Sequence, residues 1–338
     1  VQFDWGKTYQ RRGRLRLLPP KYLDRLELEV AGITRTYWLP PGAVADPSRP
    51  ASAGPAASRD GRPPPPLLLA LHGLNSSGSR LAWWSGLGER GPRSGFHCVF
   101  PDALGTVWDD HGCGRVDGAD DARFIAELIE HAAQTGAADP DRVVVTGVSS
   151  GATFAERLVR SGAVAARGLV LVCGTARIAS AQTTAISAGG VDVALIAGTG
   201  DPILPYAGGP SRGPVGRLAI KQVAATLRDP SGHESVAPES LAAEWVAANG
   251  CRTPPELFTL PPTAEGFPVA RMVWPPGEPG GPAVTLYRIT GGGHGWPSGK
   301  QYLPASFLGR IPQGFDATGI ALELARATTA VTAAGREH

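Results

Sequence analysis

The sequence predicts an α/β fold, a mostly parallel central sheet with helices on both faces, and three observations predict it. Short apolar runs alternate with longer helical patterns, the order expected when parallel strands are joined by crossover helices. Runs such as Leu67-Leu68-Leu69-Ala70-Leu71 lack polar alternation, as in strands buried on both faces. A Gly-x-Ser-x-Gly pentapeptide, Gly147-Val148-Ser149-Ser150-Gly151, stands between one such run and a helical pattern.

Taken in order, Asp24 to Val30 and Thr34 to Leu39 read as a hairpin turned at Ala31-Gly32. Residues 1–23 are an N-terminal extension, and 41–66 form a Pro/Ala-rich surface loop. Strands are predicted at Leu67 to Leu71, His97 to Phe100, Arg142 to Thr146, Leu169 to Val172, Val193 to Ala197 and Val284 to Ile289. Helices are predicted at Asp121 to Gln134, Gly151 to Val159, Ser235 to Ala248 and Phe315 to Thr329. The whole chain, 1–338, is read as one catalytic domain with no internal repeat.

Composition narrows the function classes. A hydrophobic share of 42%, a charged share of 18% and a net charge of +2 describe an ordinary globular chain. That charge gives no field to steer nucleic acid. No apolar run reaches the roughly 20 residues of a membrane span. The chain opens Val1-Gln2-Phe3 without an initiator Met or a visible signal peptide, so it reads as a mature or trimmed form. Of four cysteines, Cys98 and Cys173 lie in apolar strand-like runs; Cys113 and Cys251 lie in loops and are the better disulfide candidates.

Ser149 is the candidate nucleophile because a strand precedes its Gly-flanked turn and a helix follows it. A second match, Gly209-Pro210-Ser211-Arg212-Gly213, lies in a Pro/Gly-rich stretch with neither strand before it nor helix after it, and serves as a control. A serine needs a base. Of seven histidines, His294 lies in Gly291-Gly292-Gly293-His294-Gly295-Trp296-Pro297, past a strand and before the last helix. On such an elbow the chain order is serine, acid, histidine. His72 ends a strand, His97 opens one, His131 lies within a helix, and His111, His233 and the terminal His338 have no strand delivering them to the sheet edge. The acid should follow a strand between serine and histidine; Asp201 does so, in Gly198-Thr199-Gly200-Asp201-Pro202. Asp192 is at the wrong end of that strand and Asp229 is the remaining rival. The oxyanion hole needs two backbone N–H donors, read as Ser150 after the nucleophile and Leu74 in the loop after the first buried strand. Asp109-Asp110-His111 reads as a polar loop rather than a metal cluster, and Asp117, Asp120 and Asp121 as a helix N-terminus.

Several pieces in register carry a resemblance. They are Leu71-His72-Gly73, Phe100-Pro101-Asp102-Ala103-Leu104-Gly105, Asp139-Pro140-Asp141-Arg142-Val143, the Gly147–Gly151 elbow, the segment from Gly198 to Tyr206, Trp245 to Cys251, and Gly291 to Pro297. Together they resemble the polyhydroxybutyrate depolymerase-like and feruloyl/acetylxylan esterase family of α/β-hydrolases, over roughly residues 25 to 330. The resemblance implies an α/β-hydrolase fold, a secreted or periplasmic serine esterase, no cofactor, and the triad Ser149, Asp201 and His294 chosen above. The chain departs from the family in Ser149-Ser150-Gly151-Ala152, where relatives often have Asn and two glycines after the serine. It departs again in having one cysteine at Gly112-Cys113-Gly114, where relatives often have a pair.

The reading that follows is a carboxylic ester hydrolase acting through an acyl-enzyme on short-chain polyester or hydroxyacyl and aryl esters. The alternatives are a peptidase of the same fold and a non-catalytic hydrolase-fold binding protein. The expected partner is an ester substrate, small or polymeric, with no nucleic acid, no membrane span, no metal and a monomeric chain. Trp108 and Trp296, and with them Trp83 or Trp84, are candidates for lining the acyl or alcohol pocket; core packing is the alternative. The stretches from Gly105 to Gly118 and from Ala207 to Gly216 read as Gly-rich loops with no lid helix, which predicts a preference for short or compact acyl groups.

Overall fold

The computed structural model describes residues 23–43, 63–178, 184–187, 189–228 and 234–334, except the side chains of 329 and 331–334. Most of the Pro/Ala-rich loop, the N-terminal extension, Asp229, His233 and His338 lie outside these residues.

A ten-stranded sheet runs through them. Strands β1 (Asp24–Val30) and β2 (Ile33–Leu39) form an antiparallel hairpin, with Ala31 and Gly32 both at positive φ, 50° and 78°, as a two-residue hairpin turn requires. β2 pairs antiparallel with β4 (His97–Pro101). Next come β3 (Pro66–Leu71), β5 (Asp139–Val148), β6 (Gly168–Val172), β7 (Asp192–Gly198) and β12 (Val284–Ile289), all parallel. β11 (Val269–Trp274) and β10 (Glu256–Leu260) extend the far edge antiparallel. The order β1-β2-β4-β3-β5-β6-β7-β12-β11-β10, with its parallel centre, is an α/β-hydrolase sheet carrying an added hairpin at one edge.

Period-two alternation along the central strands divides the core between the two faces. Leu67, Leu69, Leu71, Val143, Val145, Leu169, Leu171, Val193 and Leu195 pack on one side against helices α3 (Asp121–Gln134), α4 (Ser150–Arg160) and α6 (Pro238–Asn249). Leu68, Ala70, Val144, Val170, Val172, Ala194 and Ile196 pack on the other against α1 (Gly78–Ser85), α2 (Leu87–Arg93) and α8 (Ala317–Ala334). The runs are apolar throughout because both of their faces are covered.

Three differences from the sequence reading bear on the site. Helices α1 and α2 occupy a stretch with no strong helical period. The edge strand β10 is largely solvent-facing and its neighbour β11 mostly half-buried, so neither reads as a strand covered on both faces. The stretch read as lidless loop holds a two-residue strand β8 (Gly209–Pro210), paired with β9 (Glu234–Ser235), and then a 14-residue helix α5 (Gly213–Thr226). Pro214 in its first turn suits a helix start, because the missing N–H would have had no intrahelical partner there.

Candidate active site

Strand β5 ends at Val148, and Ser149 turns the chain at φ 57°, ψ −127° before α4 begins at once. The Ser149 N–H donates to Val172 O on β6 (2.9 Å), while its carbonyl accepts from Ala152 N (2.9 Å) and Thr153 N (3.0 Å). The flanking glycines are sterically required. A Cβ on Gly147 would stand 2.4 Å from Gly151 O, and one on Gly151 would stand 2.3 Å from both Leu71 O and His72 O. The strained turn is thus held from three sides: β6, α4 and the end of β3.

His294 follows β12 in the glycine-rich loop. Its N–H donates to Leu308 O, in the short helix α7 (Ala305–Leu308). Gly293 has no room for a side chain, since a Cβ there would meet Leu308 O at 2.4 Å. The imidazole Nδ1 lies 2.6 Å from Asp201 Oδ2, and Nε2 lies 2.9 Å from Ser149 Oγ. Asp201, just past β7, accepts at Oδ1 from Ile203 N (2.8 Å) and Leu204 N (2.9 Å). With its carboxylate so occupied, Nδ1 is the protonated nitrogen, and Nε2 keeps a lone pair directed at the serine hydroxyl. The histidine and aspartate side chains are 3% and 4% exposed, so the pair works out of bulk water.

The loop after β3 lies beside the serine: a Cβ on Gly73 would stand 3.2 Å from Ser149 Cβ. His72 braces this loop from within. Its Nδ1–H donates to Gly73 O (2.7 Å), its Nε2 accepts from Ala103 N (2.9 Å), and its carbonyl accepts from Trp108 Nε1 (2.9 Å). That pattern fixes a neutral tautomer, and burial pushes its pKa down. The N–H groups of Leu74 and Ser150 take no hydrogen-bond partner among the described residues. Ser150 is the first residue of α4, where an N–H has no intrahelical acceptor and the helix dipole favours negative charge.

The structure therefore brings Ser149, His294 and Asp201 together, with Leu74 and Ser150 beside them. It does not bring the tryptophans. Trp108 is completely buried, stacked on Phe154 at 5.0 Å, with its N–H turned inward to His72 O. Trp296 packs in the core under α8 and donates to Thr318 Oγ1 (3.0 Å). Both are core residues rather than pocket walls; closeness in sequence to site residues does not settle which way a ring points. Trp84 stacks on Tyr302 at 4.6 Å, and Trp83 carries Lys300 Nζ over its ring at 3.7 Å.

Ser211 is followed by helix α5, contrary to the sequence reading, yet it makes no elbow. Its φ is not positive, and no histidine among the described residues hydrogen-bonds to its hydroxyl. Cys113 and Cys251 are not joined. Cys113 packs beside Val107, Val223 and Leu227, whereas Cys251 donates to Pro282 O (3.4 Å) next to the core on the α6 side. Among the described residues no acidic, His or Cys group forms a metal cluster. Instead Asp109 accepts from the N–H groups of Gly112, Cys113 and Gly114, and Asp110 binds His111 (2.8 Å) and Arg177 (2.7 Å). Burial would raise the Asp110 carboxyl, but Arg177 and His111 together hold it well below the usual range. Asp120 caps α3 through Arg123 N, while the buried Asp121 pairs with Arg35 (2.7 Å) and Asp117 with Arg115 (2.7 Å).

Sequence reasoning missed two residues that touch this machinery. Cys173 lies beneath the histidine loop and Gln222 of α5 meets the loop after Leu74. Neither has a motif; only the fold puts them there.

No protein-family model matches the chain, and no curated protein matches it. Among solved structures it is similar to the acetyl xylan esterase from Aspergillus awamori, at 13% identity over 77% of this chain and 89% of that one, with a TM-score of 0.46. The apo form of Thermogutta terrifontis esterase 2 is 16% identical over 92% and 95% of the two chains, with a TM-score of 0.47. The S-formylglutathione hydrolase from Staphylococcus aureus is 11% identical over 53% and 80%, with a TM-score of 0.38.

Proposed function

We propose that this chain is a serine carboxylic ester hydrolase that works through an acyl-enzyme. The observation that carries the reading is the continuous relay from Asp201 through His294 to Ser149, mounted on a strained elbow beside two N–H donors that have no partner among the described residues. Ser149 Oγ attacks the ester carbonyl as His294 Nε2 takes its proton. The oxyanion is bound by the Leu74 and Ser150 N–H groups, each such donor being worth about 10²–10³ in kcat. The intermediate collapses as His294 protonates the leaving alkoxide. Water then enters, gives its proton to the same nitrogen, and releases the acid. Asp201 stays ionised throughout, orienting the imidazole and stabilising its cation.

The substrate class we propose is short-chain polyester or compact hydroxyacyl and aryl esters, and the chain an exported protein, on the strength of the motif resemblance. Incubation with a fluorophosphonate followed by peptide mass spectrometry tests the mechanism. Stoichiometric modification of Ser149 is expected. An unmodified Ser149 would exclude the enzyme and favour a binding protein. A panel of polyhydroxybutyrate, polylactide, methyl ferulate, acetylated xylan, p-nitrophenyl esters and a peptide anilide then assigns the substrate. Cleavage of the anilide alone would replace the esterase with a peptidase.

A further inference from the structure

Helix α5 is tied down at both ends to loops that flank the catalytic serine. Near its start, Val215 packs against the cluster of Ile203, Leu308 and Ile311, two residues beyond Asp201. Towards its end, Val223 packs with Val107 and Leu227 against Leu74. Gln222 forms a reciprocal amide pair with Asn75: Gln222 Nε2 donates to Asn75 Oδ1 (2.8 Å), and Asn75 Nδ2 donates to Gln222 Oε1 (2.7 Å). Thr106 Oγ1 joins the pair by donating to Asn75 Oδ1 (3.3 Å), and the Asn75 N–H donates to Thr106 O (3.3 Å).

These anchors fix where the helix runs. One lies past the end of β3 and the other past the end of β7, and β5 and β6 stand between those strands. Three strand spacings amount to about 14 Å. The seven steps from Val215 to Gln222 rise about 10 Å, and side chains cover the remainder. A helix so anchored crosses the carboxyl end of β5, where Ser149 stands. Val215, Ala219 and Gln222 lie on one stripe, being four and three residues apart. The two ends of that stripe are packed; Ala219, half-buried between them, belongs to neither cluster.

We propose that α5 is the roof of the catalytic cleft and that Gln222, through Asn75, is a positioning residue for the Leu74 oxyanion donor. Asn75 holds φ 58° and Thr106 φ 68°, conformations that few side chains adopt unsupported. The amide pair supports both and fixes the turn in which the Leu74 N–H is presented. Ala219 is the smallest side chain the stripe could carry over the cleft and so sets the headroom for the acyl or alcohol group. This inference rests on the esterase reading.

The test uses the full chain. Gln222→Met keeps the length and removes the amide; Asn75→Gly removes the partner but keeps the positive φ. On p-nitrophenyl acetate each should lower kcat about tenfold, part of the loss of a whole oxyanion donor. KM should be nearly unchanged. Affinity for a boronic acid, which places an oxyanion in the same hole, should fall in step. The double variant should be no worse than either single one, because both break the same pair. A merely structural pair would lower the melting temperature without this split. Ala219→Trp should lower kcat/KM for the octanoate ester by a much larger factor than for the acetate ester. If Gln222→Met and Asn75→Gly stay within twofold of the parent in kcat and boronate affinity, the positioning role is wrong. If Ala219→Trp leaves the acyl-length profile unchanged, the roof is wrong. A parent protein that neither hydrolyses an ester nor takes the fluorophosphonate removes the esterase reading, and this inference with it.

Discussion

Cys173 and Gly295 exchange two hydrogen bonds behind the His294 imidazole: the thiol donates to Gly295 O (3.1 Å) and the Gly295 N–H donates to the sulfur (3.4 Å). Cys173 directly follows β6, whose last residue, Val172, accepts from Ser149 N, and Gly295 follows His294 directly. Burial pushes the thiol up to about 12, so it stays protonated and keeps donating.

Replacing this thiol separates its shape from its hydrogen bonding. Cys173→Ser keeps a donor and an acceptor and should hold kcat within about threefold. Cys173→Val loses both and places a branched side chain at φ 47°. It should cost about 2–3 kcal/mol, since two buried polar groups lose their partner. Urea melts and ester turnover on the same preparations check both; equal behaviour of Ser and Val would show that the bonds do not matter.

The two Gly-x-Ser-x-Gly serines should differ completely. Ser149→Ala removes only the nucleophilic oxygen and should lower kcat by several orders of magnitude with the fold intact, because the triad acts as a unit. Ser211→Ala should be neutral. Retained turnover in the first variant, or lost turnover in the second, would move the site elsewhere.

The elbow should tolerate no added methyl. In Gly151→Ala the new carbon meets two carbonyl oxygens at 2.3 Å, and neither belongs to a flexible side chain. Loss of fluorophosphonate labelling with retained circular dichroism is expected; a variant that labels at the parental rate would show that the turn is looser than drawn.

Mild acid should weaken the fold through a buried histidine. Burial pushes the His97 imidazole down to about 4, from an ordinary value near 6.5. Between those values the unfolded chain binds a proton there that the native protein does not, so stability is full above pH 6.5 and falls as pH drops towards 4. At pH 5 the loss from this residue is about 2 kcal/mol. His72 shifts in the same direction. His97→Leu should lose less stability than the parent between pH 7.5 and pH 5 in urea titrations. An identical loss in both proteins would place the effect elsewhere.

The central strands were legible because β3, β5, β6 and β7 are buried on both faces and announce themselves as apolar runs. Ser149, Asp201 and His294 were legible because each follows a strand of the parallel sheet, next to glycines that the close backbone contacts require. What the sequence concealed depends on long-range packing. Helix α5 begins Gly-Pro-Val-Gly, which locally favours a loop, and it is held by Leu74, Asn75 and Ile203 from distant segments. The edge strand β10 exposes Leu257 and Phe258, and its neighbour β11 is half-buried along most of its length, so neither shows the burial pattern of the central strands. Trp108 and Trp296 carry no local sign of which way their rings face, and only the packed core decides it.

The parallel pairing of β12 with β7 is the step that delivers His294 to a serine 145 residues earlier in the chain. The serine's elbow and the histidine's loop are thus made by separate segments that no local rule joins. Where β12 is not seated on β7, serine and imidazole stand apart, so the line from Asp201 through His294 to Ser149 reports on that docking as much as on its three members.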